Sequence, residues 1–189
     1  MSEAVKGCYR SRLLRSLTPR ILRRFVRKND GAAAVEFAMV AAPFLALVFA
    51  ILETAIVFFA GQVLETAAAD SARLIMTGQA QKGGLSQSQF KQEVCNRIFG
   101  LFDCNNGIKI DVRTYTSFSS ANTSKPIDAN GNVTFTPSYQ PGTPGDIVVV
   151  RLLYEWPVYV SLLGLNLADL SGGKRLIMAT AAFRNEPYQ

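Results

Sequence analysis

The chain has 189 residues, a formal net charge of +6 and no histidine. The missing imidazole excludes Ser-His-Asp and Cys-His catalysis and any histidine metal site, and the three cysteines, Cys8, Cys95 and Cys104, form no zinc-type CxxC pair. The length suits one modest domain with an additional element.

The charge is concentrated at the start. Residues 1–28 hold nine Lys/Arg against one acid, Glu3, while residues 29–189 hold eleven against thirteen. A basic arm can bind nucleic acid, but directly before an apolar run it sets membrane orientation, with the basic end in the cytoplasm. No nucleic-acid partner is therefore expected. The run itself, Ala32–Ala60, has 29 residues and two charges, Glu36 and Glu53. As a helix it reaches about 43 Å at 1.5 Å per residue, more than the ~30 Å of hydrocarbon in a bilayer. It is too long for the core of a secretory signal peptide. Pro43 removes one helical hydrogen bond, to the carbonyl of Met39, which a membrane helix tolerates.

The helical period continues past the run. Val63, Leu64, Ala67, Ala68, Ser71, Leu74 and Ile75 form one small-or-apolar stripe, with Glu65, Asp70 and Arg73 on other faces and Gly78 as a stop. The pattern predicts a single helix of about 45 residues, half in lipid and half outside it. In "LSQSQFKQEVCNRIFG", Ser86 and Gln89 make a capping box and Leu85 and Phe90 a hydrophobic staple. Phe90, Val94 and Ile98 share a face of this second helix, which Gly100 can end.

After it the period changes to two. "IKIDVRTYT" alternates Ile108, Ile110 and Val112 with Lys109, Asp111 and Arg113. "DIVVVRLLYEW" puts Val148, Val150, Leu152, Tyr154 and Trp156 on one side, and "KRLIMATAAFR" aligns Ile177, Ala179, Ala181 and Phe183. These predict three antiparallel strands, each with one apolar face. Asn130-Gly131 marks a short hairpin, and "PSYQPGTPGD" a loop. The apolar stretch Val158–Leu170, ending at "SGG", fits a short helix covering the sheet.

Glu36 raises a specific question, because a carboxylate in lipid costs about 2.5–3.5 kcal/mol at the bilayer centre and less near the interface. It stands in "Gly31-Ala-Ala-Ala-Val-Glu36-Phe37", after a basic arm and at the start of an apolar helix. This resembles the type IV pilin class processed by prepilin peptidase, in which cleavage follows the glycine and glutamate is the fifth residue of the mature chain. The wording "GAAAVEFAMVAAPFLALVFAILE" is similar to the TadE-like family of the Tad (Flp) pilus machinery, over about residues 30–73, and "ATAAFRNEPYQ" is similar to that family's tail. The chain departs from the major Flp pilin, which is far shorter and usually carries Glu-Tyr where this chain has Glu36-Phe37.

The resemblance implies a structural role as a minor pilin or pseudopilin, processed between Gly31 and Ala32, with Glu36 and Phe37 in recognition and assembly. It implies partners in prepilin peptidase, other Tad pilins and pseudopilins, platform proteins of the inner membrane and the bilayer itself. It also implies a single-pass inner-membrane protein with its C-terminal domain in the periplasm, which can enter a cell-surface pilus. Cleavage would remove 31 residues and expose an α-amine on Ala32 that Glu36 can pair, in its own helix or a neighbour's. The small residues Ala32, Ala33 and Ala34 allow close helix approach. Glu53 has no comparable account; it fits the outer interface or a helix partner.

The competing reading is a signal-anchored periplasmic enzyme or binding module. Against an enzyme, the sequence offers no carboxylate pair, nucleophile–base set or metal cluster, and the Asp and Glu on strands read as solvent-facing. No cofactor or metal is expected. Cys95 and Cys104, nine residues apart on the side placed in the oxidising periplasm, are expected to pair as a disulfide; the alternative is two buried thiols. Cys8 stays reduced in the arm. The expected organisation is α+β: a basic cytoplasmic leader 1–31, a transmembrane helix 32–60, its extension 61–78, and a periplasmic domain 79–189 with a second helix packed on a small antiparallel sheet.

Overall fold

The computed structural model describes residues 30–98, 100–159 and 166–188. The basic arm, Cys8 and residues 160–165 of the stretch expected to be a covering helix lie outside them. The described remainder of that stretch, 158–159 and 166–170, is irregular.

The architecture is α+β: one long apolar helix, then short helices and a three-stranded antiparallel sheet. The elements are α1 (Asp30–Met76), α2 (Gln79–Lys82), α3 (Gln87–Cys95), α4 (Cys104–Gly107), β1 (Lys109–Tyr115), β2 (Ile147–Pro157) and β3 (Lys174–Arg184). The chain divides into two units, residues 1–47 and 48–189. In the described part of the first, α1 exposes Phe37, Met39, Val40 and Phe44.

In the second unit α1 is one-sided. Ala50, Val57, Ala60, Leu64, Ala67, Ala68, Ala72 and Ile75 are buried at helical spacing, and five of the eight are alanine. Short side chains let the helix axis approach the sheet, and the stripe extends the one read from sequence toward the N-terminus. Val63 and Leu74 are only half-buried, and Ala72 takes a core place instead.

The helix stops where expected. Gly78 has φ +76°, a conformation that costs a residue with Cβ about 1–2 kcal/mol, and any Cβ there would also meet the Tyr188 ring. Glu186 N donates to Met76 O at 2.9 Å, so the C-terminal tail closes over the end of α1.

The capping box at α3 is present: Ser86 N donates to Gln89 Oε1 at 2.8 Å and Gln89 N to Ser86 Oγ at 3.4 Å. The helix ends at Cys95, before Gly100, because the chain tightens: Arg97 N and Ile98 N donate to the carbonyls of Val94 and Cys95, three residues back. Phe90 and Val94 are fully buried in the same core as α1 and the sheet.

The strands run in the order β1-β2-β3, with Val112 opposite Val150 and Val150 opposite Ala181. The apolar faces read from sequence all point to α1 and α3. The other face departs from expectation. Val149, Leu153, Leu176 and Asp111 are buried there too, so the sheet is covered on both sides and Asp111 is no solvent-facing residue. At Asn130-Gly131 the turn forms, with Gly131 N donating to Asp128 O, but only the isolated bridge Ile127–Val133 accompanies it.

Candidate functional site

The residues singled out by sequence fall in two places. Gly31, Ala32, Glu36 and Phe37 occupy the first turns of α1, where 32–40 are all exposed and Phe37 is among the most exposed apolar residues. Ala32 and Glu36 are four residues apart and share a helix face. The side chains flanking them, Ala33, Ala34, Val35 and Phe37, are apolar.

Cys95 and Cys104 belong to the second unit and are joined as a disulfide between the end of α3 and the start of α4. Lys91 Nζ donates to Asn105 O at 2.8 Å, a second tie between the same elements. Asp103 caps α4, its Oδ1 accepting from Asn106 N.

Two arrangements were missed from sequence. Glu53 is 8% exposed, and its Oε1 accepts a hydrogen bond from Tyr159 N at 2.5 Å. A carboxylate inside the apolar run thus holds the chain just beyond β2, a long-range contact to which no local spacing points. The second is Asp111, fully buried. Its two oxygens accept from Arg151 Nε and Nη2, Arg113 Nε and Ser138 N. Arg151 also stacks over the Phe135 ring, 5.8 Å from its centroid. Every lone-pair direction is spoken for, so this cluster ties the 135–138 segment to the sheet and presents no base to a substrate. Burial pushes the Tyr139 phenol up, and its ring packs 5.6 Å from Phe90. Among the described residues, no group of three His, Cys, Asp or Glu side chains is placed to hold a metal.

α1 is long and apolar enough to cross a bilayer. Its first turns and most of its packing stripe fall inside one family's pattern. Residues 31–73 match the TadE-like protein family. No curated protein and no solved structure matches the chain. The TadE-like match begins at Gly31 and closes at Arg73, one turn before α1 ends, so it covers the helix and leaves the sheet outside it. The TadE-like family is a structural family associated with the Tad pilus. One such helix among the described residues is compatible with a single-pass membrane anchor.

Proposed function

We propose that the protein is a minor pilin or pseudopilin acting in assembly of a Tad pilus. Residues 1–31 form a cytoplasmic leader that prepilin peptidase removes after Gly31. Residues 32–60 span the inner membrane, 61–78 continue the helix, and 79–189 form the periplasmic domain. Its partners are the peptidase, other Tad pilins and pseudopilins, and the platform proteins of the inner membrane.

The observation that carries this reading is the TadE-like match itself, which starts on Gly31 and includes Glu36. The physical chemistry supports it. An exposed, apolar helix beginning with small residues is suited to helix–helix packing in lipid or in a filament. Glu36 is costly there alone and favourable beside the α-amine of Ala32, its own or a neighbour's. The excess of basic residues before the run supports an N-terminus in the cytoplasm; protease added to spheroplasts should then degrade the C-terminal domain, and protection would reverse the orientation.

Glu36→Ala, expressed in a strain lacking the native copy, tests the role. Leader removal and insertion should persist and surface piliation should fail, whereas Gly31→Leu should leave the precursor uncleaved. Normal pili from Glu36→Ala would reduce Glu36 to an interfacial residue. Normal function of both variants would favour a signal-anchored periplasmic protein outside the pilus.

A further inference from the structure

Between Val48 and Ala60 the two sides of α1 contradict each other. Ala50, Glu53, Val57 and Ala60 are buried within the second unit. On the opposite side Leu52, Ile56, Phe58 and Phe59 are about half exposed or more, Phe58 at 72%. Thr54 closes its hydroxyl onto Ala50 O at 2.8 Å, so that side shows solvent no polar group of its own. A helix packed on a domain in water shows its polar residues outward. This stretch shows a lipid-type surface at the level where its other side is buried and Val57 and Ala60 join the core shared with the strands. A 29-residue run exceeds ~30 Å of hydrocarbon by about nine residues, which leaves most of this stretch for the boundary layer.

The end of the sheet beside this stretch has the matching chemistry. Tyr159 is 81% exposed, and its backbone N–H is held by Glu53. In β-register Pro157 stands opposite Lys174 and Trp156 opposite Arg175. Glu155 accepts from both Lys109 and Lys174, and Lys109, Lys174 and Arg175 against Glu155 and Glu53 leave one positive charge at this end. A tyrosine with an apolar ring and a polar tip, beside lysine and arginine, is the composition found at membrane–water boundaries. There a strand end lacks water for its backbone N–H, and a carboxylate supplies the acceptor.

We propose that this end of the sheet, Trp156–Tyr159 with Lys109, Lys174 and Arg175, sits in the phospholipid headgroup layer of the bilayer that α1 crosses. The Tyr159 ring lies at the boundary with the acyl chains, and the cations face lipid phosphates. Glu53 is then the polar anchor that holds the strand end down against the helix. The domain is held on the membrane by its base as well as by its helix, and extraction of α1 into a filament must break both sets of lipid contacts. The inference rests on the single-pass reading above.

Hydroxyl-radical footprinting tests it on the unaltered full chain in nanodiscs of phosphatidylethanolamine and phosphatidylglycerol, read by peptide mass spectrometry. Tyr115, partly exposed at the other end of the sheet, is the reference, and Phe44 in the apolar run reports on membrane crossing. The expected result is a loss of Tyr159 oxidation to below that of Tyr115, although Tyr159 is the more exposed by its geometry. Tyr159 oxidised as fast as Tyr115 or faster, with Phe44 protected, overturns the headgroup placement and leaves the anchor standing. Oxidation of Phe44 overturns both.

Discussion

Asp111 stands directly opposite Arg151 in the β1–β2 ladder, and Arg151 donates to one of its carboxylate oxygens from both Nε, at 3.1 Å, and Nη2, at 2.6 Å. Arg113 Nε and Ser138 N bind the other oxygen. Breaking such a buried pair leaves an uncompensated charge, which costs about 3–5 kcal/mol. Asp111→Ala is therefore expected to lower the denaturation midpoint sharply, followed by fluorescence of Trp156, the one tryptophan in the chain. Asp111→Leu with Arg151→Met should recover part of the loss, because an apolar pair of similar volume strands less charge. An unchanged midpoint in Asp111→Ala would contradict the structural role assigned to the cluster.

The disulfide closes a short loop, with a sequence separation of nine. On the chain-entropy account a loop of this size contributes about 2–3 kcal/mol by restricting the unfolded chain. Cys95→Ser with Cys104→Ser should lower the thermal midpoint, and a reductant should do the same to the native chain. High-occupancy alkylation of both cysteines without reductant, or equal midpoints, would count against the bond.

Acid should weaken the base of the sheet. The hydrogen bond from Lys109, helped by Lys174, holds the Glu155 carboxyl below the usual glutamate value despite partial burial. A lowered folded pKa adds stability above the unfolded value of about 4.3 and loses it as pH falls through the folded one. The native chain should thus hold its stability from neutral pH down to about pH 4.5 and lose this contribution below it. All three side chains are partly exposed, so each pair is worth about 0.2–1 kcal/mol. Glu155→Gln should be slightly less stable at pH 7 and show a shallower acid limb in a pH series of denaturant melts; an identical limb would remove Glu155 as its source.

Local patterns were legible where local physics decides them. The packing stripe of α1, the Gly78 stop, the Ser86–Gln89 capping box, the three strand faces and the Cys95–Cys104 pairing all follow from spacing, period or compartment. What stayed hidden depends on distant chain segments meeting. Asp111 alternates correctly for a solvent face, and only the 135–138 segment folding over the sheet buries it. Glu53 reads as an unexplained charge until Tyr159, far along the chain, places its N–H against it. Val149, Leu153 and Leu176 sit on the face that alternation assigns to water, yet they are buried there.

In the function proposed above, the bond between Gly31 and Ala32 is cut during maturation of a pilin-like protein. The most direct measurement is the N-terminal residue of the protein isolated from its native membrane. The expected residue is Ala32, with the basic leader gone and a new amine available to Glu36. An intact Met1 or Ser2 on the membrane-resident protein would contradict it and leave a signal anchor in its place.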